Sequence, residues 1–249
     1  PSYGLPVEPY WGTIRPFYVS SVDSFLQQYK PVSFSTKPKS AFYKMTKEVY
    51  QRSKKLNTNQ QNIANFWDCN PVQSKNYGHV TLYNFRLTPA AHWILLAGDM
   101  LHNTNWDIYR TVQVYSDLSM SMADAFIVCW KSKYDNNVIR PETYINKYIS
   151  KEWKPFIETP QFPEYPSGHS LVSATAAQIC SFYLGNIPIT DKTQIAFGLK
   201  AKYFKNFNKA SYNAGISRFY GGIHYLPSVK DGISIGNNIG NYIIKNKLK

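Results

Sequence analysis

Two cations of the sequence, Lys133 and Arg140, are spaced so that both side chains could reach one anion. Six residues separate them, and Pro141 directly follows Arg140. A proline disfavours helical geometry in the residue before it, so a helix that carries Lys133 should end before Arg140. The chain then leaves the helix between the two cations, which lets both turn toward one point. Arginine offers a planar fork that suits oxyanions and lysine a compact point charge, although such pairs are more often solvated surface residues.

Residues 162–170 form a second segment with anion-binding character. Ser167, Gly168 and His169 stand between a proline-stiffened loop and the apolar-periodic residues 171–184. The free backbone N–H groups and the positive dipole end at the start of a helix attract anions. Gly168 lets the backbone approach a ligand closely, Ser167 adds a hydroxyl donor, and His169 titrates near neutrality. The plainer interpretation is a capped helix with an incidental histidine.

Residues 217–227 form the third segment, which contains Arg218 and His224. On a continuous helix of about 3.6 residues per turn, these two side chains would point roughly 120° away from each other. Gly221-Gly222 lies between them, breaks the helix and permits the two side chains to converge. Taken alone, a histidine in such a turn is more often structural.

Several stretches with helical periodicity would have to position these segments. They are residues 41–56, 57–67, 89–101, 105–133, 141–149, 168–184, 191–204, 210–220 and 228–245. Asn105 could cap the longest of them, and residues 80–85 are the best short case of strand-type alternation. The sequence therefore predicts an all-α fold that packs as a helical bundle, preceded by an irregular, non-helical N-terminal arm over residues 1–40.

The composition is basic, with 28 Lys and Arg against 15 Asp and Glu and a formal net charge of +13. Such a charge suits anionic partners, although scattered cations more often form a general solvated surface. Basic and aromatic residues do not interleave on a recognisable nucleic-acid-binding motif, so no nucleic-acid partner is expected. The longest strongly apolar run, residues 125–130, is far shorter than the roughly 20 residues that span a bilayer, so no membrane span is expected. The three cysteines lack zinc spacing, and Cys129 and Cys180 are expected to be buried.

Together, the patterns Lys-x6-Arg-Pro, Pro-Ser-Gly-His and Ser-Arg-x5-His, in this order, are highly specific. The sequence resembles the superfamily that joins vanadium-dependent haloperoxidases, bacterial iodoperoxidase-like forms among them, with type 2 phosphatidic acid phosphatases and bacterial class A acid phosphatases. The close resemblance covers about residues 130–231. A looser likeness to bacterial haloperoxidase-like chains extends to residues 11–17 and 88–93.

This resemblance implies a single domain, with an arm over residues 1–40 and, over residues 41–249, a helical bundle of the vanadium haloperoxidase/acid phosphatase type. The chain begins at Pro1 without an initiator methionine, so we expect it to lack further N-terminal helices. Families of this type are commonly exported, which implies a periplasmic or secreted protein. The sequence leaves the oligomeric state open.

The resemblance also implies a vanadate cofactor, with phosphate able to occupy the same site. The residues that would bind the equatorial oxygens are Lys133, Arg140, Ser167, Gly168 and Arg218. His224 would be the apical ligand of vanadium, or the phosphorylated nucleophile in a phosphatase, and His169 would be the acid/base group on the opposite apical side. In a haloperoxidase, His169 would manage the proton as hydrogen peroxide binds, Lys133 would polarise the bound peroxide, and halide would be oxidised to hypohalous acid.

One position departs from the family pattern, which usually places an Asp four residues after the histidine of the third segment. Here that position is Ser228, and the nearest acid is Asp231. A carboxylate partner fixes the tautomer and basicity of a ligating or nucleophilic histidine. Asp231 could reach His224 by a different turn, or a backbone carbonyl could substitute. A less basic His224 would hurt a phosphatase more than a metal site.

Aromatic residues beside the anion-binding segments favour a peroxidase over a phosphatase. Trp130 lies three residues before Lys133 and Phe162 five before Ser167, where the resemblance implies the large side chains of a halide pocket. Both rings could also be plain core packing. The sequence therefore predicts a vanadium-dependent haloperoxidase that uses hydrogen peroxide and prefers iodide. The alternatives are a metal-free acid phosphatase that acts through a phosphohistidine at His224, and a basic module that binds nucleic acid or polysaccharide.

Four other polar residues could be mistaken for parts of the anion site. His79, His92 and His102 are more often hydrogen-bonded structural histidines than ligands, while Asp68, next to Trp67, could contact the anion-binding residues from behind.

Overall fold

In the computed structural model, which describes residues 6–69, 73–77, 79–84 and 86–249, eight α-helices form most of the chain. They are α1 (Ala41–Ser53), α2 (Thr58–Phe66), α3 (Pro89–His102), α4 (Ile108–Asn136), α5 (Pro141–Tyr148), α6 (Gly168–Leu184), α7 (Phe207–Tyr220) and α8 (Leu226–Ile243). A π-helical turn, Ile244–Leu248, continues α8. The all-α prediction is confirmed, and no helix in the described part of the chain is long and apolar enough to cross a membrane.

Two short antiparallel hairpins accompany the helices. β1 (Gln73–Tyr77) pairs with β2 (Val80–Asn84), and β3 (Ile189–Asp191) pairs with β4 (Lys202–Phe204). The alternation predicted as a strand over residues 80–85 is thus confirmed as far as Asn84, and Phe85 lies outside the described residues.

The helix predicted over residues 191–204 is wrong, because this segment contains the end of β3, a 3₁₀ turn and β4. Asp191 Oδ1 accepts hydrogen bonds from the backbone N–H (3.0 Å) and the hydroxyl (2.7 Å) of Thr193. Its Oδ2 lies 2.6 Å from Nε2 of His92 in α3. These contacts fix a turn where a helix would begin, and Gly198, with a φ of 79°, ends the 3₁₀ turn in the left-handed region that glycine permits.

Side-chain caps set where the helices begin. Asp107 accepts a hydrogen bond from a backbone N–H of the first turn of α4 at 2.8 Å, so this helix begins at Ile108 and the cap predicted at Asn105 is wrong. Thr88 caps α3 in the same way. Lys133 is one of the residues that α4 buries near its C-terminal end.

Glycines on α8 bring this helix against α6. Gly232, Gly236 and Gly240 recur at every fourth residue, and a Cβ at Gly236 would lie 2.1 Å from the backbone oxygen of Leu171. Larger residues would therefore push the two helices apart. The backbone N–H of Ser167 also donates to a carbonyl oxygen at the start of α8 at 3.2 Å. The first turns of α6 and α8, which flank the second and third sequence segments, are thus held together.

The described part of the N-terminal arm, residues 6–40, contains two 3₁₀ turns and no α-helix. Three successive backbone N–H groups, at residues 17–19, donate to the buried carboxylate of Asp124 in α4 at distances between 2.7 and 2.9 Å. A Cβ at Gly12 would lie 2.5 Å from the backbone of Lys131, so the arm contacts α4 closely there. The arm is fastened along α4, and its division from the bundle at residue 40 stays a prediction.

Candidate functional site

The first segment forms the break that its proline predicts. α4 ends at Asn136, Asn137 adopts a left-handed conformation, and Arg140 is extended before Pro141 begins α5. Lys133 and Arg140 are only 0% and 6% exposed, so the surface-pair interpretation is wrong. Both cations lie over the same aromatic ring, since Lys133 Nζ is 5.1 Å and Arg140 Cζ is 5.0 Å from the centroid of Phe162.

Lys133 organises the loop that precedes α6. Its ammonium donates to the backbone oxygens of Pro163 (2.9 Å), Glu164 (3.0 Å) and Pro166 (2.7 Å). These bonds use all three of its N–H donors. Burial lowers the pKa of Lys133 to about 7. A direct bond from Lys133 to an anion would therefore replace one of these carbonyl contacts.

Two buried guanidinium groups keep donors available. Arg140 donates from Nε to the Phe162 oxygen and from Nη1 to the Ile223 oxygen, both at 2.9 Å. Arg218 donates from Nη1 to the Trp67 oxygen, also at 2.9 Å. Arg140 Nη2 and Arg218 Nε are buried and have no hydrogen-bond partner among the described residues. Burial lowers the pKa of both groups, that of Arg140 to about 10.

The second segment forms a capped helix start. Ser167 Oγ accepts from the backbone N–H (3.4 Å) and the hydroxyl (2.8 Å) of Ser170, which places Gly168 and His169 at the positive end of α6. His169 Nε2 is buried without a hydrogen-bond partner in the part of the chain that the structure describes. Burial, followed by the charge of Arg218, lowers the pKa of His169 well below its usual value. The ring is thus neutral and its Nε2 is available.

The third segment brings His224 back toward the start of α6. α7 ends at Tyr220, and Gly222 adopts a φ of 80°, so the predicted helix break at the glycine pair is confirmed. His224 Nδ1 lies 2.7 Å from Glu164 Oε1. Its Nε2 faces the other way and lies 3.1 Å from Arg140 Nη1.

The predicted residues converge on His224. Burial is the largest cause that lowers the pKa of His224 well below its usual value. The charges of Arg140, Lys133, Arg218 and His169 lower it further, in that order of size. All four groups therefore lie within electrostatic reach of its ring. With the two residues at the start of α6, they form what we call the oxyanion site: Lys133, Arg140, Ser167, Gly168, His169, Arg218 and His224.

Glu164 is a site residue that the sequence reasoning missed. It is fully buried and supplies the carboxylate partner of His224, so the two expected substitutes for an acid at Ser228 are both wrong. Asp231 instead accepts a hydrogen bond from Tyr165 at 2.9 Å. The sequence could have indicated Glu164, because it is an acid in the loop before Ser167, where neighbouring prolines restrict the backbone.

Aromatic rings cover one side of the oxyanion site. Trp130 lies between Trp11 and Phe162, with ring centroids 4.9 Å from each. Trp130 Nε1 is buried with no hydrogen-bond partner within the described ranges. The placement of Phe162 against the cations agrees with a halide pocket, and that role stays a prediction for both residues.

The remaining polar candidates lie elsewhere or play supporting parts. His92 is saturated by hydrogen bonds, which confirms it as structural, and His79 and His102 are exposed. Asp68 is buried and its charge raises the pKa of Arg218 against the effect of burial, so it does lie next to the oxyanion site. All three cysteines are free and buried.

The site fits a tetrahedral oxyanion. Three cations are buried beside two carboxylates, Glu164 and Asp68, and two guanidinium N–H groups lack partners among the described residues. Buried donors without partners are costly unless a ligand satisfies them, and a surplus of buried positive charge needs an anion. Guanidinium groups bind such oxygens well.

Comparisons with known proteins identify a family model and solved structures that are similar to this chain. Residues 147–248 match the family model of the VCPO second helical-bundle domain. The chain is similar to the crystal structure of the first bacterial vanadium-dependent iodoperoxidase, with 40% sequence identity and a TM-score of 0.89 over 98% of this chain and 58% of that one. It therefore spans less than two thirds of that protein's length. No curated protein sequence matches.

Two further solved structures share the fold at low identity. Holo and apo forms of a bacterial vanadium-dependent chloroperoxidase match over 96% of this chain and 54% and 56% of theirs, with TM-scores of 0.73 and 0.75. Their identities of 15% and 16% support the fold alone.

Proposed function

We propose that this chain binds vanadate and oxidises halide with hydrogen peroxide. Its residues 147–248 match the VCPO second helical-bundle domain, and its fold is that of the vanadium haloperoxidases. The observation that carries the proposal is the set of buried polar atoms without partners among the described residues: two guanidinium N–H donors, Arg140 Nη2 and Arg218 Nε, and the ring nitrogen His169 Nε2. The likeness to a vanadium-dependent iodoperoxidase supports it. We also propose, from the family resemblance alone, that the protein is exported.

Vanadate would be held by groups that the structure already orients. His224 would bind through Nε2, because Nδ1 is occupied by Glu164. Arg140, Arg218 and the start of α6 would neutralise and hydrogen-bond the oxygens, and Lys133 would add positive charge. Phosphate has the same shape and charge type, so it should compete with vanadate during reconstitution.

The residues around this anion would play two roles. The neutral His169 can accept a proton from hydrogen peroxide at Nε2, while the cations stabilise negative charge in a water-poor environment. Bound vanadate would supply a Lewis-acidic centre for peroxide. In the overall reaction, halide loses two electrons, the O–O bond of hydrogen peroxide breaks with uptake of one proton, and hypohalous acid and water leave.

Iodide is the proposed preferred halide. It is the easiest of the common halides to oxidise and to strip of water, and the aromatic ring of Phe162 beside the cations suits a weakly hydrated anion. The absence of an acid at Ser228 does not support this preference, because Glu164 braces His224 instead. The preference therefore rests on halide chemistry and on the likeness to an iodoperoxidase.

A metal-free acid phosphatase is the second candidate, and one contact favours it. A histidine whose Nδ1 donates to a carboxylate presents a more nucleophilic Nε2, and His224 has this arrangement. The same carboxylate also suits a metal ligand, so the contact does not decide between the two functions.

The deciding experiment measures peroxide-dependent iodide oxidation before and after addition of orthovanadate, with phosphatase activity assayed on the same sample. We expect iodide oxidation that requires orthovanadate and disappears in His224→Ala, with negligible phosphatase activity. Metal-free phosphatase activity that is lost in His224→Ala, without vanadate-dependent oxidation, would replace the first function by the second.

A further inference from the structure

The buried carboxylate of Glu164, in the loop before α6, contacts three polar groups of another segment. Glu164 Oε1 lies 2.7 Å from His224 Nδ1 and accepts from the backbone N–H of Tyr225 at 3.1 Å. Its Oε2 accepts from the hydroxyl of Ser228 at 2.7 Å. Both oxygens are thus held by the turn that joins α7 to α8, although Glu164 itself belongs to a different loop.

The backbone of Glu164 is held as firmly as its side chain. Its carbonyl oxygen accepts from Lys133 Nζ at 3.0 Å, and its N–H donates to the Val138 oxygen at 2.9 Å. The residue therefore links three segments of the chain, which are the end of α4, the loop before α6 and the turn before α8. A side chain fixed at both ends can fix its partner.

The partner that it fixes is the ring of His224. A carboxylate accepts hydrogen bonds, so Nδ1 must carry the proton, and a neutral ring then has its lone pair on Nε2. The neighbour of Nε2 demands the same tautomer, because Arg140 Nη1, at 3.1 Å, can only donate. Two independent contacts thus select one ring orientation and one tautomer. The lone pair of Nε2 points into the oxyanion site, where it accepts from Arg140, and a bound oxyanion would replace this one contact.

We propose that Glu164 is the positioning residue of His224, which it holds in the Nδ1–H tautomer so that Nε2 can bind the oxyanion. Ser228 and the Tyr225 N–H aim the carboxylate in turn. This role rests on the proposed function for its ligand, vanadate, but the tautomer is a property of the protein alone. The two can therefore be tested separately.

The test compares Glu164→Met with Glu164→Gln. Methionine fills a similar volume without a strong acceptor, whereas glutamine keeps an oxygen at the place of Oε1 and so serves as the matched control. Heteronuclear NMR of the ring nitrogens, assigned by their loss in His224→Gln, reports the tautomer, and calorimetry reports orthovanadate affinity. We expect the Nδ1–H tautomer in the wild type and in Glu164→Gln. In Glu164→Met we expect its loss together with a fall in affinity of about ten- to a hundredfold.

A double variant moves the carboxylate from position 164 to position 228. Position 228 reaches the same place, since the Ser228 hydroxyl lies 2.7 Å from Glu164 Oε2. The double variant Glu164→Ala with Ser228→Asp should restore the Nδ1–H tautomer and most of the affinity. It also keeps the test decisive if Glu164→Met does not fold.

Two results would overturn the proposal. One is a Glu164→Met protein with the wild-type tautomer and affinity, and the other is a folded double variant in which His224 carries its proton on Nε2. Failure of the proposed function alone would give another result. The wild type would bind no orthovanadate, but the tautomer of His224 would still depend on Glu164.

Discussion

His224 and His92 are both buried histidines next to a buried carboxylate, yet their second ring nitrogens meet different surroundings. His92 Nε2 lies 2.6 Å from Asp191, and its Nδ1 lies 3.2 Å from the amide nitrogen of Gln194. Trp67 stacks on the ring at a centroid distance of 4.3 Å. His92 thus has both nitrogens satisfied by the protein and one face covered.

The second ring nitrogen of His224 is held by a single contact from a cation, which a ligand could replace. Glu164 takes Nδ1, while Nε2 faces a guanidinium in a region of buried positive charge. A buried histidine–carboxylate pair is therefore not enough to identify a site. The pair of His224 and Glu164 differs from the pair of His92 and Asp191 because its second ring nitrogen faces cations. These cations attract the negative charge of a ligand to that nitrogen.

The largest effect should come from removing the ligand nitrogen. His224→Ala should abolish retention of vanadate, whereas His169→Ala should retain it and lose most turnover, because His169 is proposed to move a proton rather than to bind the metal. Elemental analysis of vanadium after dialysis, with iodide oxidation on the same samples, separates the two. Equal vanadium content and full activity in both variants would refute the assignment.

The opposite pattern is expected at the structural pair. His92→Ala removes a buried ring that contacts Asp191, Thr193 and Gln194 and stacks on Trp67, which should lower the free energy of unfolding by about 3 kcal/mol. His224→Ala should cost less stability, because its second ring nitrogen faces buried cations rather than a network of protein partners. Denaturant unfolding of both variants checks this order. If His92→Ala lost orthovanadate binding while keeping wild-type stability, His92 would belong to the ligand-binding pair.

How far the sequence predicts the site depends on whether a constraint is local. Pro141 predicts the helix break before Arg140, and the glycine pair 221–222 predicts the turn before His224, because each acts on its own backbone. Both predictions are confirmed. The cations and histidines that these breaks bring together could therefore be named from their spacing.

Contacts between distant segments could not be predicted in this way. Glu164 finds His224 60 residues further along the chain, a meeting that depends on how α6 packs on α8. The error over residues 191–204 has the same cause, because Asp191 is held by His92, 99 residues away. Helical periodicity carries no information on such partners.

A third buried carboxylate, Asp124, shows what a carboxylate contributes without a histidine. It accepts three backbone N–H bonds from the arm, so Asp124→Asn should lower the free energy of unfolding by about 1–3 kcal/mol and leave anion binding unchanged. The matched control is Asp135→Asn, an exposed acid paired with Lys131, for which at most about 0.5 kcal/mol is expected. Equal losses in the two variants would show that the arm is not fastened by Asp124.

The smallest effect concerns Lys133 and pH. Burial lowers the pKa of Lys133 to about 7, below the value of about 10.4 for an unfolded lysine. In the folded protein the ammonium therefore loses its charge as pH rises through about 7, and affinity for sulfate, which stays a dianion, should fall several-fold between about pH 6 and about pH 9. The contribution of this lysine to stability should rise over the same window, because the unfolded chain binds more protons there.

The control for this pH effect is Lys133→Gln, which carries no titrating group at this position. Its affinity for sulfate should be weaker than that of the wild type and should change less with pH. An unchanged slope in Lys133→Gln would show that Lys133 does not cause the pH dependence.

The proposed function requires that the buried cations of this bundle surround one histidine nitrogen that binds an oxyanion. A crystal structure of the protein soaked in orthovanadate would locate that oxyanion. We expect a vanadium peak bonded to His224 Nε2, within hydrogen-bond distance of Arg140 and Arg218 and with Glu164 still on Nδ1. A peak at another residue, or none at His224 under conditions that saturate binding in solution, would contradict it.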